Sequence, residues 1–161
     1  MDRRKYIVSD PKKCTACGIC ELACSSNKTG SFNPLSSRIR TVFVEPSNTM
    51  TISCQLCEDP KCVKSCPRKA LNKDPKTGVI NVNEEECDGC CWCIQSCEFG
   101  AITFDLDKKK VAICDLCGSD PQCVKYCPKD ALELNAPEQI SQKLRKEAIK
   151  KILRTNSSEP K

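Results

Sequence analysis

Apolar positions come in short bursts separated by turn residues. Residues 38–44 (RIRTVFV) alternate and are β-rich before Pro46, and residues 49–53 are placed to return as a hairpin partner. Residues 79–82 (VINV) follow the turn DPKTG and predict a short strand. Residues 101–106, the turn DKKK at 107–110 and residues 111–113 predict a second hairpin. Residues 19–24 and 62–66 suit single helical turns, in which a Cys-x₃-Cys spacing puts two thiols on one face. Pro67 and Pro128 are expected to stop such turns. The last pattern is helical. Pro137 suits a first turn, and Ile140, Leu144, Ala148 and Ile152 recur every four residues, with Ile149 and Leu153 widening the face. An amphipathic helix is therefore expected over 137–154, packed on its own domain or docking a partner, with a frayed tail at 155–161.

Such elements need a core, and the usual material for one is scarce. The apolar fraction of 39% counts 17 cysteines and falls to roughly 29% without them. Aromatics number four Phe, two Tyr and one Trp. A chain of this kind depends on staples, either disulfides or metal.

Sixteen cysteines form four groups of four: Cys14, Cys17, Cys20, Cys24; Cys54, Cys57, Cys62, Cys66; Cys87, Cys90, Cys93, Cys97; and Cys114, Cys117, Cys123, Cys127. The first and third groups have the spacing C-x₂-C-x₂-C-x₃-C, the bacterial run for [4Fe–4S] clusters, whose fourth cysteine serves the other cluster of a pair. The second and fourth widen the middle gap. Sixteen thiolates are the ligand set for four [4Fe–4S] clusters. Structural zinc is the alternative, since it also takes Cys₄ sites. Against it, each group is crowded into a short stretch, and histidine is absent from the chain. The five residues between Cys117 and Cys123 leave zinc or an incomplete cluster open for the fourth group. Cys91 lies between Cys90 and Cys93 and reads as a spare buried thiol, with an alternate ligand or a redox-sensitive thiol as the other readings. Trp92 reads as cover for a cluster edge.

The chain also repeats itself. Groups two and four share Cys-x-Leu-Cys, Asp-Pro, Cys-Val-Lys and Cys-Pro, and an Ala-aliphatic pair follows the last cysteine of groups two, three and four by four residues (Ala70-Leu71, Ala101-Ile102, Ala131-Leu132). No catalytic triad is possible without histidine, and no G-x-G-x-x-G or P-loop occurs, so the chain reads as a carrier and not as an enzyme.

The formal charge of +5 is concentrated at the ends. Residues 1–13 carry five bases and two acids, and residues 137–161 seven bases and three acids, which leaves −2 between them. Anionic clusters would make the total negative, so nucleic acid is not the expected partner. No apolar leader and no run of 18 apolar residues is visible, which predicts a cytoplasmic chain without direct membrane insertion.

The order of the four groups, tight in the first and third, resembles the four-cluster ferredoxin-type electron-transfer subunits of multisubunit oxidoreductases. Among these are subunits of dimethyl-sulfoxide-reductase relatives, formate dehydrogenases, and the small subunits of tungsten aldehyde oxidoreductase and benzoyl-CoA reductase. The resemblance covers about residues 5–135. It implies an α+β fold of nested bacterial-ferredoxin-like modules: an outer one at 1–48 and 107–136, an inner one at 49–106, then the C-terminal helix at 137–154. It implies crossed ligand sets: Cys14, Cys17, Cys20 with Cys127; Cys114, Cys117, Cys123 with Cys24; Cys54, Cys57, Cys62 with Cys97; and Cys87, Cys90, Cys93 with Cys66. It also implies a catalytic partner of the molybdenum- or tungsten-pterin type and a further electron carrier. A free polyferredoxin and a zinc-stapled interaction module are the rival readings.

Overall fold

Eight short strands pair two by two in a computed structural model that describes residues 4–44 and 48–156, apart from the side chains of 151 and 153–156. The expected hairpins are present as β2 (Arg40–Val44) with β3 (Asn48–Ile52), and β6 (Thr103–Asp105) with β7 (Lys110–Ala112). The strand expected at 79–82 is β5 (Ile80–Val82). Its partner is β4 (Leu71–Lys73), which the sequence pattern did not predict. The fourth pair was also not predicted: β1 (Tyr6–Ser9) runs antiparallel to β8 (Leu132–Asn135), with Ile7 opposite Leu134. β4 is three residues long, and β1 and β8 are four residues each and lie far apart in sequence, so none carries an alternation long enough to read.

Four helices accompany the cysteine groups: α1 (Ile19–Thr29), α2 (Lys61–Lys64), α3 (Trp92–Gln95) and α4 (Gln122–Lys125). α1 runs five residues past the expected single turn. Ser25 follows Cys24 where the other groups turn, and Gly30 ends the helix in the left-handed region at φ 72°, its amide bonded to the Ser26 carbonyl at 2.9 Å. Proline is not what ends the three short helices. α3 stops at the equivalent place with Glu98 where the others have proline. In each, the fourth cysteine's amide turns back to the carbonyl three residues earlier (Cys66 to Val63, Cys97 to Ile94, Cys127 to Val124, 3.2–3.3 Å). A left-handed residue follows at Lys69, Gly100 or Asp130. A tightened 3₁₀ turn closes each one.

The core is small. Ile39, Leu71, Ile80 and Ile113 are each 1–2% exposed, and six cysteines (Cys20, Cys24, Cys54, Cys93, Cys114, Cys123) are buried among them. Each aliphatic chain removed from water contributes about 1.5–3 kcal/mol. The repeated Ala-aliphatic pairs belong to this core, since all six residues are buried.

The last helix, α5 (Pro137–Asn156), is fixed at its start. The Ala136 amide donates to Gln139 Oε1 at 2.9 Å, and Lys143 pairs with Glu133 on β8. Ile140 is half-buried, while Leu144 and Ile149 are 60% and 56% exposed. Packing on the rest of the chain involves the first turns, and most of the apolar stripe faces outward. Of the expected tail, residues 157–161 lie outside the described residues.

Candidate iron–sulfur sites

The four cysteine loops are wound alike. The residue two positions after the first cysteine is left-handed in all four: Ala16, Leu56, Gly89 and Leu116, at φ 48–73°. The amides of Ala16, Leu56 and Leu116 hydrogen-bond the sulfurs of Cys14, Cys54 and Cys114. An amide so placed favours negative charge on the sulfur.

Two cavities bring together cysteines of different groups. One cavity is lined by Cys14, Cys17 and Cys20 together with Cys127, the last coming from the far end of the chain. A second is lined by Cys87, Cys90 and Cys93 together with Cys66. The remaining cysteines also influence one another's ionisation. Burial pushes the Cys54 thiol up to about 11, and Cys62, Cys57 and Cys97 add to it. Burial pushes the Cys114 thiol up to about 12, with Cys24 and Cys54 contributing. Cys123 is raised by burial and then by Cys114, Cys24, Cys117 and Cys20. Cys93 reaches about 11 through burial, with Cys66 and Cys62 adding. Cys14 is lowered. Burial opposes ionisation there, but the Ala16 amide and the Thr51 and Thr49 hydroxyls outweigh it.

Cysteines of different groups are thus electrostatic neighbours. Cys20 of the first set lies near Cys123 of the second, Cys114 of the second near Cys54 of the third, and Cys62 of the third near Cys93 of the fourth. Exposed cysteines, Cys17 and Cys90, occur in the first and last sets.

The donor set fits iron–sulfur clusters. Sixteen soft sulfur donors in four groups of four are the ligands that such clusters take, bound as thiolates. Further donors then meet the sulfurs. The amides of Arg38, Ala101 and Ala131 reach Cys24, Cys97 and Cys127 at 3.3–3.4 Å. The Thr41 hydroxyl lies 3.5 Å from Cys20 Sγ, and the Asn27 side-chain amide donates to Cys117 at 3.4 Å. Among the described residues, Ser53 Oγ is a buried hydroxyl with no partner, and it adjoins Cys54. No three His, Cys, Asp or Glu side chains among the described residues converge as a single ion requires. The sulfurs surround cavities instead.

Some elements of the site were not foreseen. Asp115, between two cysteines of the fourth group, receives Lys28 at 2.8 Å and Arg38 at 3.0 Å, while its other oxygen accepts the Cys117 amide at 3.0 Å. Burial alone would raise this carboxyl, but Lys28, the Cys117 amide and Arg38 hold it below its ordinary range. Trp92 corrects an expectation: it is 61% exposed and does not line the Cys87–Cys93 cavity, because it opens α3 one residue before the inward Cys93. Cys91 lines that cavity, its thiol donating to the Gly89 carbonyl at 3.1 Å.

A ferredoxin-like α+β chain with four cysteine groups, two of its cavities lined by cysteines from different groups, defines the class, an iron–sulfur protein. Similarity to known proteins places it more closely: residues 47–136 match the 4Fe–4S dicluster domain, and this protein belongs to that family. It is 39% identical over 137 residues to the polyferredoxin-like subunit of an aliphatic sulfonate oxidoreductase from Pyrococcus furiosus, covering 83% of this chain and 79% of that one. It is 32% identical over 153 residues to one of the chains of the anaerobic dimethyl sulfoxide reductase of Escherichia coli, covering 83% of this protein and 74% of that relative. Over 130 residues it is 41% identical to the beta subunit of an NADH-dependent phenylglyoxylate dehydrogenase from Aromatoleum evansii, covering 79% of this chain and 29% of that longer one.

Proposed function

We propose that this chain is the electron-transfer subunit of an oxidoreductase complex, passing single electrons through four [4Fe–4S] clusters. The clusters supply the one-electron redox centres, and the protein supplies ligands, spacing and polarity. The crossed sets named above hold them, sixteen cysteines in all. The meeting of cysteines from different groups in two cavities, each with one exposed cysteine (Cys17 in one, Cys90 in the other), supports this reading. The charge enters near one exposed cysteine and leaves near the other.

The nested arrangement belongs to the same proposal. The β1–β8 pair joins residues 6–9 to 132–135 and closes the outer module (1–48, 107–136) around the inner one (49–106). The β2–β3 and β6–β7 hairpins carry the chain between the two. The partner is a catalytic subunit, of the molybdenum- or tungsten-pterin type, with a further carrier at the opposite end. The relatives' assignment to multisubunit enzymes supports a bound subunit over a free polyferredoxin, as do the apolar Phe43, Val44, Leu144 and Ile149 left exposed. Among the described residues no helix is long and apolar enough to cross a membrane. A cytoplasmic location fits the reduced thiols.

The test is anaerobic purification of the chain at its native abundance. About sixteen iron per chain, four stepwise one-electron reductions, and co-purification with a large molybdenum- or tungsten-containing chain are expected. A chain without iron refutes the site assignment. A chain that purifies alone with all its iron refutes the subunit assignment.

A further inference from the structure

Five cysteines, not four, line the cavity beside Cys90: Cys66, Cys87, Cys90, Cys93 and Cys91. The matching position in the first group is Gly18. Both residues are left-handed, at φ 72° for Gly18 and φ 64° for Cys91, so the two loops have the same shape. Glycine takes this conformation freely, whereas a side chain there costs about 1 kcal/mol. The third group accepts that cost and gains a sulfur at the cavity wall. The loop is held from behind: a Cβ on Gly89 would lie 2.3 Å from the Lys109 carbonyl oxygen. Cys91 and Cys90 are adjacent in the chain, so their Cα atoms are about 3.8 Å apart. Cys90 is exposed, whereas Cys91 is half-buried.

We infer that Cys91 is a reserve ligand for this site, taking over the iron that Cys90 holds when Cys90 is lost as a ligand. The inference rests on the iron–sulfur reading above. The exchange breaks one iron–sulfur bond to Cys90 and forms one to Cys91. The Cys91 thiol proton passes to the departing sulfur or to water, and no electron is transferred. Cys17 has the same exposed geometry but glycine in the reserve position, so it has no substitute.

The experiment compares Cys90→Ala, Cys17→Ala and the double variant Cys90→Ala/Cys91→Ala as full-length chains prepared without oxygen. Iron content and the electron paramagnetic resonance of the isolated state are measured. Cys90→Ala is expected to keep the wild-type iron content and show no three-iron signal. Cys17→Ala and the double variant are expected to lose iron and show that signal. Native alkylation with iodoacetamide gives a second readout in the Cys90→Ser chain as well. Cys91 is expected to be modified in the wild type and protected in both single variants at position 90. If Cys90→Ala is depleted as Cys17→Ala is, or if Cys91 stays reactive in both variants, the inference is overturned. A wild-type chain without iron overturns the inference and the site reading together, whereas a full wild type with a depleted Cys90→Ala overturns the inference alone.

Discussion

Asn27 donates its side-chain amide to Cys117 Sγ at 3.4 Å, across 90 positions of sequence. Asn27 lies on the extension of α1 past Cys24, and Cys117 sits in the irregular loop of the fourth group, at φ 49°. A donor to a ligand sulfur stabilises the more negative, reduced cluster. Asn27→Leu should lower the potential of that site by about 40 mV, the equivalent of one hydrogen bond of about 1 kcal/mol. A potentiometric titration followed by electron paramagnetic resonance would show one of four waves displaced. An unchanged set of waves would mean that the bond does not form in the loaded protein.

Asp115 gathers Lys28 and Arg38 beneath the same loop. Asp115→Asn keeps the shape but leaves two cations without their counter-charge, the Lys28 side chain being only 15% exposed. A loss of about 1 kcal/mol is expected for so partly buried a group, read as a lower thermal midpoint of the loaded chain.

Gly89 and Gly30 are both left-handed, at φ 73° and 72°, but their surroundings differ. Gly30→Ala meets open space and should cost about 1 kcal/mol from backbone strain alone. Gly89→Ala drives a methyl group onto the Lys109 carbonyl and should cost at least ~2 kcal/mol. Denaturant midpoints of the two variants, measured side by side, separate strain from collision.

The anchoring of α5 should depend weakly on pH. Pairing with Lys143 holds the Glu133 carboxyl below its ordinary value of 4.5, so this contribution is complete above 4.5 and is lost as pH falls through the folded value. Pairing with Glu133 raises Lys143 above 10.5, so its contribution is complete below 10.5 and is lost as pH rises past the folded value. Both side chains are more than a third exposed, which limits the pair to a few tenths of a kcal/mol. A carboxyl NMR titration should place Glu133 below 4.5 in the wild type and nearer 4.5 in Lys143→Ala.

Removing iron should unfold the chain and not merely bleach it. Six of the buried core residues are cysteines, and the thiols around each cavity repel one another once ionised. Chelation under reducing conditions is expected to abolish amide protection in β1 and β8 together with the visible absorbance.

The sequence was informative wherever chemistry is local. The four cysteine groups, the β2–β3 and β6–β7 hairpins and the start of α5 all follow from spacing or alternation within about a dozen residues. The Ala-aliphatic repeat was visible too, but not its cause: Ala101 and Ala131 are small and buried, and their amides reach the preceding cysteine sulfur. Contacts between distant segments were not legible. The β1–β8 pair, Asp115 with Lys28, and Asn27 with Cys117 join residues that no periodicity connects. Trp92 was misread because its neighbours in sequence face inward while its own position on α3 faces solvent.

Cys20 and Cys127 border one cavity although more than a hundred residues separate them. During synthesis, the first thiols to leave the ribosome must therefore wait for nearly the last ones before their compartment closes. The compartment joining Cys87 with Cys66 can be completed much earlier. A nascent chain ending before Cys127 would leave the cavity beside Cys14, Cys17 and Cys20 without one of its walls.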